Sequence, residues 1–157
     1  MRIFILPGTL NCDNMGDVAM LQVALQRLKG LWPDARLFVL SNCPEKLEFY
    51  CPGAEAISWL GCKRWLDVQS LPRLLFPNVR RDVRNKFPLT MSRLPSLARL
   101  AFPSNLHQAR PFVEALLNAD LVVASGCGLI TDAFKINAGR WLDMLGVAIR
   151  CGIPTAM

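Results

Sequence analysis

The stretch LPGTLNCDNMGDVAML, Leu6 to Leu21, changes character twice within sixteen residues. An apolar run, RIFIL (2–6), breaks at Pro7, Gly8 and Thr9, and a polar loop follows through Asp17. Apolar residues then recur at helical spacing as Val18, Leu21, Val23, Ala24, Leu25 and Leu28. Lys29 and Gly30 supply a helix stop, with Pro33 just beyond. A buried strand, a loop of small and polar residues and an amphipathic helix form the opening unit of an α/β chain.

The same alternation continues outward. ARLFVLS (35–41) reads as a second strand, NCPE as a turn, and Pro44 opens a short helix to about Tyr50. AEAISWL (54–60) reads as a third strand. Between Cys62 and Pro111 the pattern is lost, and six of the eleven prolines fall from 72 to 111, so helices there should be short and interrupted. RPFVEALLNA (110–119) is helical again, and DLVVAS (120–125) is a continuous apolar strand of the central parallel type. From Thr131 to Gly152, Phe134, Trp141, Leu142, Leu145 and Ile149 share a helical face, with an interruption expected near Gly139. IPTAM (153–157) begins another strand; a stop inside a strand suggests a truncated chain. This order implies a Rossmann-like α/β fold, a parallel sheet with helices on both faces. Ligands of such sheets bind beyond the carboxyl ends of the strands, where both Gly-containing breaks fall.

Composition narrows the class. A chain of 157 residues fits one domain, and 52% hydrophobic residues exclude a disordered chain. The apolar run before Pro7 is too short for a secretory leader, and no apolar run approaches the roughly 18 residues of a membrane span. A cytoplasmic setting follows as the expectation. The six cysteines (12, 43, 51, 62, 127, 151) form no Cys-x-x-Cys pair and, with His107 as the one histidine, no zinc-type cluster. They read as reduced thiols and no metal is expected. The net charge of +6 is concentrated: residues 63–110 hold ten Lys or Arg and two acids, a net of +8, leaving −2 elsewhere. That segment is either a solvated insertion face or a surface for an anionic partner such as a membrane. KFPLTMSRLPSLARLAF (86–102) spaces basic residues among apolar ones, as interfacial segments do. One tyrosine and no recognition motif argue against nucleic acid.

Two loops carry the candidate chemistry. In Asn14-Met15-Gly16-Asp17, a helix N-terminus offers unpaired N–H groups and Gly16 allows close backbone approach. Asn14 and Asp17 can contact a ligand, or one of them can simply cap the helix. In SGCGLITD, Ser125 to Asp132, Gly126 and Gly128 allow tight turning after a buried strand, and Thr131 or Asp132 can cap the next helix. This is neither a Walker loop nor Gly-x-Gly-x-x-Gly, since position 131 is Thr. Cys127 has no base near it in sequence and reads as structural, and His107 reads as a surface residue.

Taken together, the loops resemble the polysaccharide pyruvyl transferase family. Its first half has a strand, an Asn-x-Gly-Asp loop opening a helix, and later an Ala-Asp strand running into three glycines, an Asp and a Gly-x-Pro. Here these elements read NMGD (14–17), ADLVVASGCGLITD (119–132) and CGIP (151–154), in that order. Cys127 replaces the middle glycine of the three. The resemblance covers this chain but only the first half of the family's length. It implies residues 1–157 as the N-terminal Rossmann-like domain of a GT-B-like two-domain fold, with a basic Pro-rich insertion at about 63–110 and the C-terminal domain absent. It implies transfer of a pyruvyl group from phosphoenolpyruvate, the donor substrate, to a sugar hydroxyl as a ketal, with no separate cofactor and a sugar or lipid-linked saccharide as acceptor. Asp17 and Asp132 become the catalytic candidates, and Asn14, Gly16, Ser125, Gly126 and Gly128 the substrate-binding ones. The basic segment then suits contact with the membrane surface, and the chain alone should lack activity. The alternatives are a non-catalytic Rossmann-like binding module and the acceptor-binding domain of a GT-B glycosyltransferase.

Overall fold

The computed structural model describes residues 1–65, 103–126 and 135–157. Along the chain these form β1 (Arg2–Pro7), α1 (Met15–Leu31), β2 (Arg36–Ser41), α2 (Pro44–Tyr50), β3 (Glu55–Ser58), α3 (Pro103–Leu117), β4 (Leu121–Ser125), α4 (Lys135–Arg150) and β5 (Thr155–Ala156). The strands make one parallel sheet in the order β3-β2-β1-β4-β5. The chain moves outward from β1 to β3 and then returns to β4 on the other side of β1. Right-handed crossovers therefore put α1 and α2 on one face and α4 on the other. The topological switch point lies between β1 and β4.

Strand periodicity sets the core. Ile3, Ile5, Leu37 and Val39 project to the face of α1 and pack with Leu21, Leu25 and Leu47; Leu121 and Val123 of β4 join them. Phe4, Leu6, Leu40 and Val122, the alternate residues, are buried on the opposite face. Burial on both faces explains why β1, β2 and β4 are continuously apolar rather than alternating. Each such side chain removed from water contributes about 1.5–3 kcal/mol.

Several boundaries differ from the sequence reading. Helix α1 passes through Gly30 to Leu31, and its C-cap Trp32 has a non-helical backbone just before Pro33. Its last turn is held by the Lys29 ammonium, which donates to the carbonyls of Ala35 (2.7 Å) and Pro33 (3.3 Å). Strand β3 stops at Ser58 because its partner β2 ends at Ser41, the last register pair, and residues 59–65 turn helical instead. Val23 is exposed, as are Leu142 and Ile149; the buried side of α4 is Trp141, Met144, Leu145, Val147 and Ala148. Helix α4 continues through Gly139 without a break. Helix α3 runs fifteen residues with Pro111 inside it, where a start at about 110 was expected. Pro111 is at an exposed position, away from the buried Phe112 and Val113.

The chain divides into two compact units, Met1–Ser58 with Ala115–Met157, and Trp59–Glu114. The first holds the sheet. In the second, Trp65 packs on Phe112 with ring centroids 5.4 Å apart, and Cys62 and Ala109 are buried. Most of the basic stretch, 66–102, lies outside the described residues. Of its cations, Arg110 pairs with Glu114 one helical turn on, at 2.7 Å.

Candidate functional site

The loop after β1 is tied down on one side. The carbonyl of Leu10 accepts from the Asn42 N–H (2.8 Å) and the Ser41 hydroxyl (3.2 Å). The amide of Asn42 donates to Asn11 Oδ1 at 2.9 Å, and the Lys46 ammonium reaches Asp13 at 2.6 Å. Lys46 holds the Asp13 carboxyl below its ordinary range. The buried Cys12, at φ +54°, sits inside this knot, and burial, with Cys43 nearby, raises its thiol. Burial pushes the Cys51 thiol up to about 11. Protonated at neutral pH, these two thiols are not nucleophiles.

The capping question resolves in favour of Asn14. Its Oδ1 accepts from the Gly16 N–H at 3.0 Å and its carbonyl from the Val18 N–H at 3.0 Å. A side chain on Gly16 would press within 3.3 Å of that Oδ1, so the glycine makes room for the cap. Asp17 does not cap; it stands in the first turn of α1 and makes no side-chain hydrogen bond among the described residues. Its carboxylate lies over Gly8, where an added Cβ would come to 3.0 Å from Oδ1 and 3.2 Å from Cγ.

Gly8 joins the two breaks. At the end of β4, Gly126 has φ +91°, and a Cβ there would meet Gly8 Cα at 3.1 Å and Gly8 N at 3.3 Å, with the Met20 methyl at 3.6 Å. Ser125, paired in register with Pro7, is on the α1 face of the sheet with Leu121 and Val123. It is 8% exposed, and its hydroxyl makes no side-chain hydrogen bond among the described residues. Asp17, Gly8, Ser125 and Gly126 thus meet at the switch point, with Asn14 and Gly16 forming the adjacent cap. Asp132, Gly128 and Cys127 lie outside the described residues. The sequence reading passed over Gly8, although a glycine directly after an apolar strand was the signal available.

The electrostatics favour a neutral ligand over an anion. The cap satisfies the Gly16 N–H, and the Asp17 carboxylate offsets the positive end of α1. A phosphate approaching there meets a negative charge, whereas a hydroxyl can donate to Asp17 and exchange a hydrogen bond with Ser125. Among the described residues no three His, Cys, Asp or Glu side chains are placed to hold a metal ion. A cleft of about 430 Å³ lies elsewhere, between Gln22, Gln26 and Lys29 of α1 and the Tyr50–Ala54 turn. The Lys29 ammonium and the Gln22 amide, the latter donating to Tyr50 O at 2.6 Å, are already engaged there.

The fold and site together define an α/β protein with a doubly wound parallel sheet and a polar site at its switch point. No family model, curated protein or solved structure matches the chain.

Proposed function

We propose that this chain is the acceptor-side domain of a polysaccharide pyruvyl transferase of GT-B-like architecture, a second domain supplying the phosphoenolpyruvate site. The observation that carries this reading is the meeting of the Asn-Met-Gly-Asp loop and the Ser-Gly strand end at Gly8, where the Asp17 and Ser125 side chains make no hydrogen bond among the described residues. Forming the ketal joins two sugar hydroxyls to the central carbon of the donor. The enol methylene takes up a proton and becomes a methyl group. The first hydroxyl adds at that carbon, and the second displaces phosphate. Both hydroxyls must lose a proton, so a carboxylate that accepts from them orients the diol and serves as base. Asp17 has that position at the end of β1; Asp132, after β4, is the second candidate. Ser125 fixes the neighbouring oxygen, and Gly126 and Gly128 give the saccharide access to the backbone. Asn14 and Gly16 hold the helix end that presents Asp17. The basic segment 63–110 draws a lipid-linked acceptor to the membrane surface. Among the described residues no helix is long and apolar enough to cross a membrane.

Saturation-transfer NMR on the chain tests this with three probes: a methyl hexopyranoside, phosphoenolpyruvate and a nucleotide sugar. The glycoside should bind at roughly millimolar affinity, since one wall of a cleft buries little of it. Phosphoenolpyruvate alone should not bind, and a mixture of donor and glycoside should release no phosphate without the second domain. Response to the nucleotide sugar alone would instead fit a glycosyltransferase domain. Silence with the glycoside would contradict the assignment.

A further inference from the structure

We propose that Gly8 is a positioning residue for Asp17: the missing side chain at the end of β1 is what lets the carboxylate lie across the switch point. This rests on the reading of Asp17 as the group that faces the acceptor. Glycine is usually retained where the backbone must be left-handed, but Gly8 is not among the positive-φ glycines, which are Gly53, Gly126 and Gly152. Its backbone is open to any residue. The three atoms nearest an added Cβ are Oδ1, Cγ and Cβ of Asp17, at 3.0, 3.2 and 3.5 Å. All three of these nearest atoms belong to the Asp17 side chain, so the glycine at position 8 makes room first of all for that carboxylate.

Gly126 is the control within the same structure. There the φ of +91° and the backbone of Gly8 at 3.1 Å both exclude a side chain, whatever Asp17 does. A methyl group at position 8 moves the flexible end of one side chain; a methyl group at position 126 strains the main chain. The carboxylate displaced from position 8 would turn toward solvent, leaving Ser125 to hold an acceptor hydroxyl alone.

The test is a double-mutant cycle on the full chain with Gly8→Ala, Asp17→Ala and the combination, read by two measurements. The first is the carbon-13 shift of the Asp17 carboxyl together with the proximity of its β protons to the residue 8 α protons. The second is methyl hexopyranoside binding. Gly8→Ala should move the Asp17 carboxyl resonance and weaken the glycoside about tenfold, the loss of one charge-assisted hydrogen bond. In the Asp17→Ala background, where of the three nearest atoms only the one at 3.5 Å remains, Gly8→Ala should weaken binding no further. An unmoved Asp17 resonance, or an equal loss in both backgrounds, would overturn the inference. If Gly8→Ala fails to fold, recovery of folding in the double variant upholds it and failure of both overturns it. Should the unaltered chain ignore the glycoside, the proposed function fails, while the Asp17 resonance still decides the role of Gly8.

Discussion

The amino end of the sheet differs from the switch-point side of its carboxyl end. At the amino end, polar groups answer one another. The Arg36 guanidinium makes two 2.8 Å contacts with the Glu55 carboxylate across β2 and β3. Asp120 accepts from the Arg2 N–H at 2.7 Å while its own N–H donates to Arg2 O at 2.8 Å. At the carboxyl end the β1 loop is paired on the β2 side, Asp13 with Lys46 and Asn11 with Asn42. At the switch point, by contrast, Asp17 and Ser125 make no side-chain hydrogen bond among the described residues, and glycines let three segments come within contact distance. An edge whose polar groups are paired contributes to stability; one whose groups are left unpaired is available to a ligand. The proposed function rests on this difference.

Substitutions can break or sharpen that contrast. The largest effect is expected from Gly126→Ala, which forces a side chain into the left-handed region and against Gly8. It should cost about 2–3 kcal/mol, seen as a lowered midpoint of urea unfolding. Asp120→Ala at the amino end should cost about 0.5–1.5 kcal/mol by the same measurement, with no change in ligand response.

A smaller effect concerns pH. The hydrogen bond and charge of Arg36 hold the Glu55 carboxyl below its ordinary range. Its folded pKa is depressed, so its contribution is present above the unfolded carboxyl range, near pH 4.3, and is lost as pH falls through the folded value. Both groups are about half exposed, so the effect is modest. Acid unfolding of Glu55→Gln should show a shallower dependence below pH 4 than the unaltered chain. An identical slope would mean the pair contributes nothing.

The smallest stability effect is expected from Ser125→Ala, within about 0.5 kcal/mol of neutral, because the hydroxyl removed makes no side-chain hydrogen bond among the described residues. The glycoside response should nevertheless fall. A variant that loses stability instead would show that Ser125 belongs to the paired, structural class.

The strands and the parallel sheet they form could be read from sequence because burial on both faces leaves β1, β2 and β4 continuously apolar, with turn residues at their ends. The helix boundaries could not. Gly30 and Gly139 are tolerated inside helices that tertiary packing stabilises, and Pro111 costs α3 less at an exposed position than a core one. Val23, Leu142 and Ile149 fit an apolar stripe by spacing, yet the buried stripes are narrower than the apolar ones. At the site, the two loops were found by their glycines, and Asn14 could be named as a cap or a contact but not decided between. Gly8 was missed because its importance lies in the Asp17 carboxylate above it, a neighbour that only the folded chain supplies.

The most direct test is amide chemical-shift mapping of the chain with a methyl hexopyranoside and, separately, with inorganic phosphate. The glycoside should shift Gly8, the amides from Asn14 to Val18, and Ser125 and Gly126, while phosphate leaves them unmoved. Phosphate shifts at Gly16 to Val18 with no glycoside response there would contradict a neutral saccharide site at the carboxyl end of the sheet.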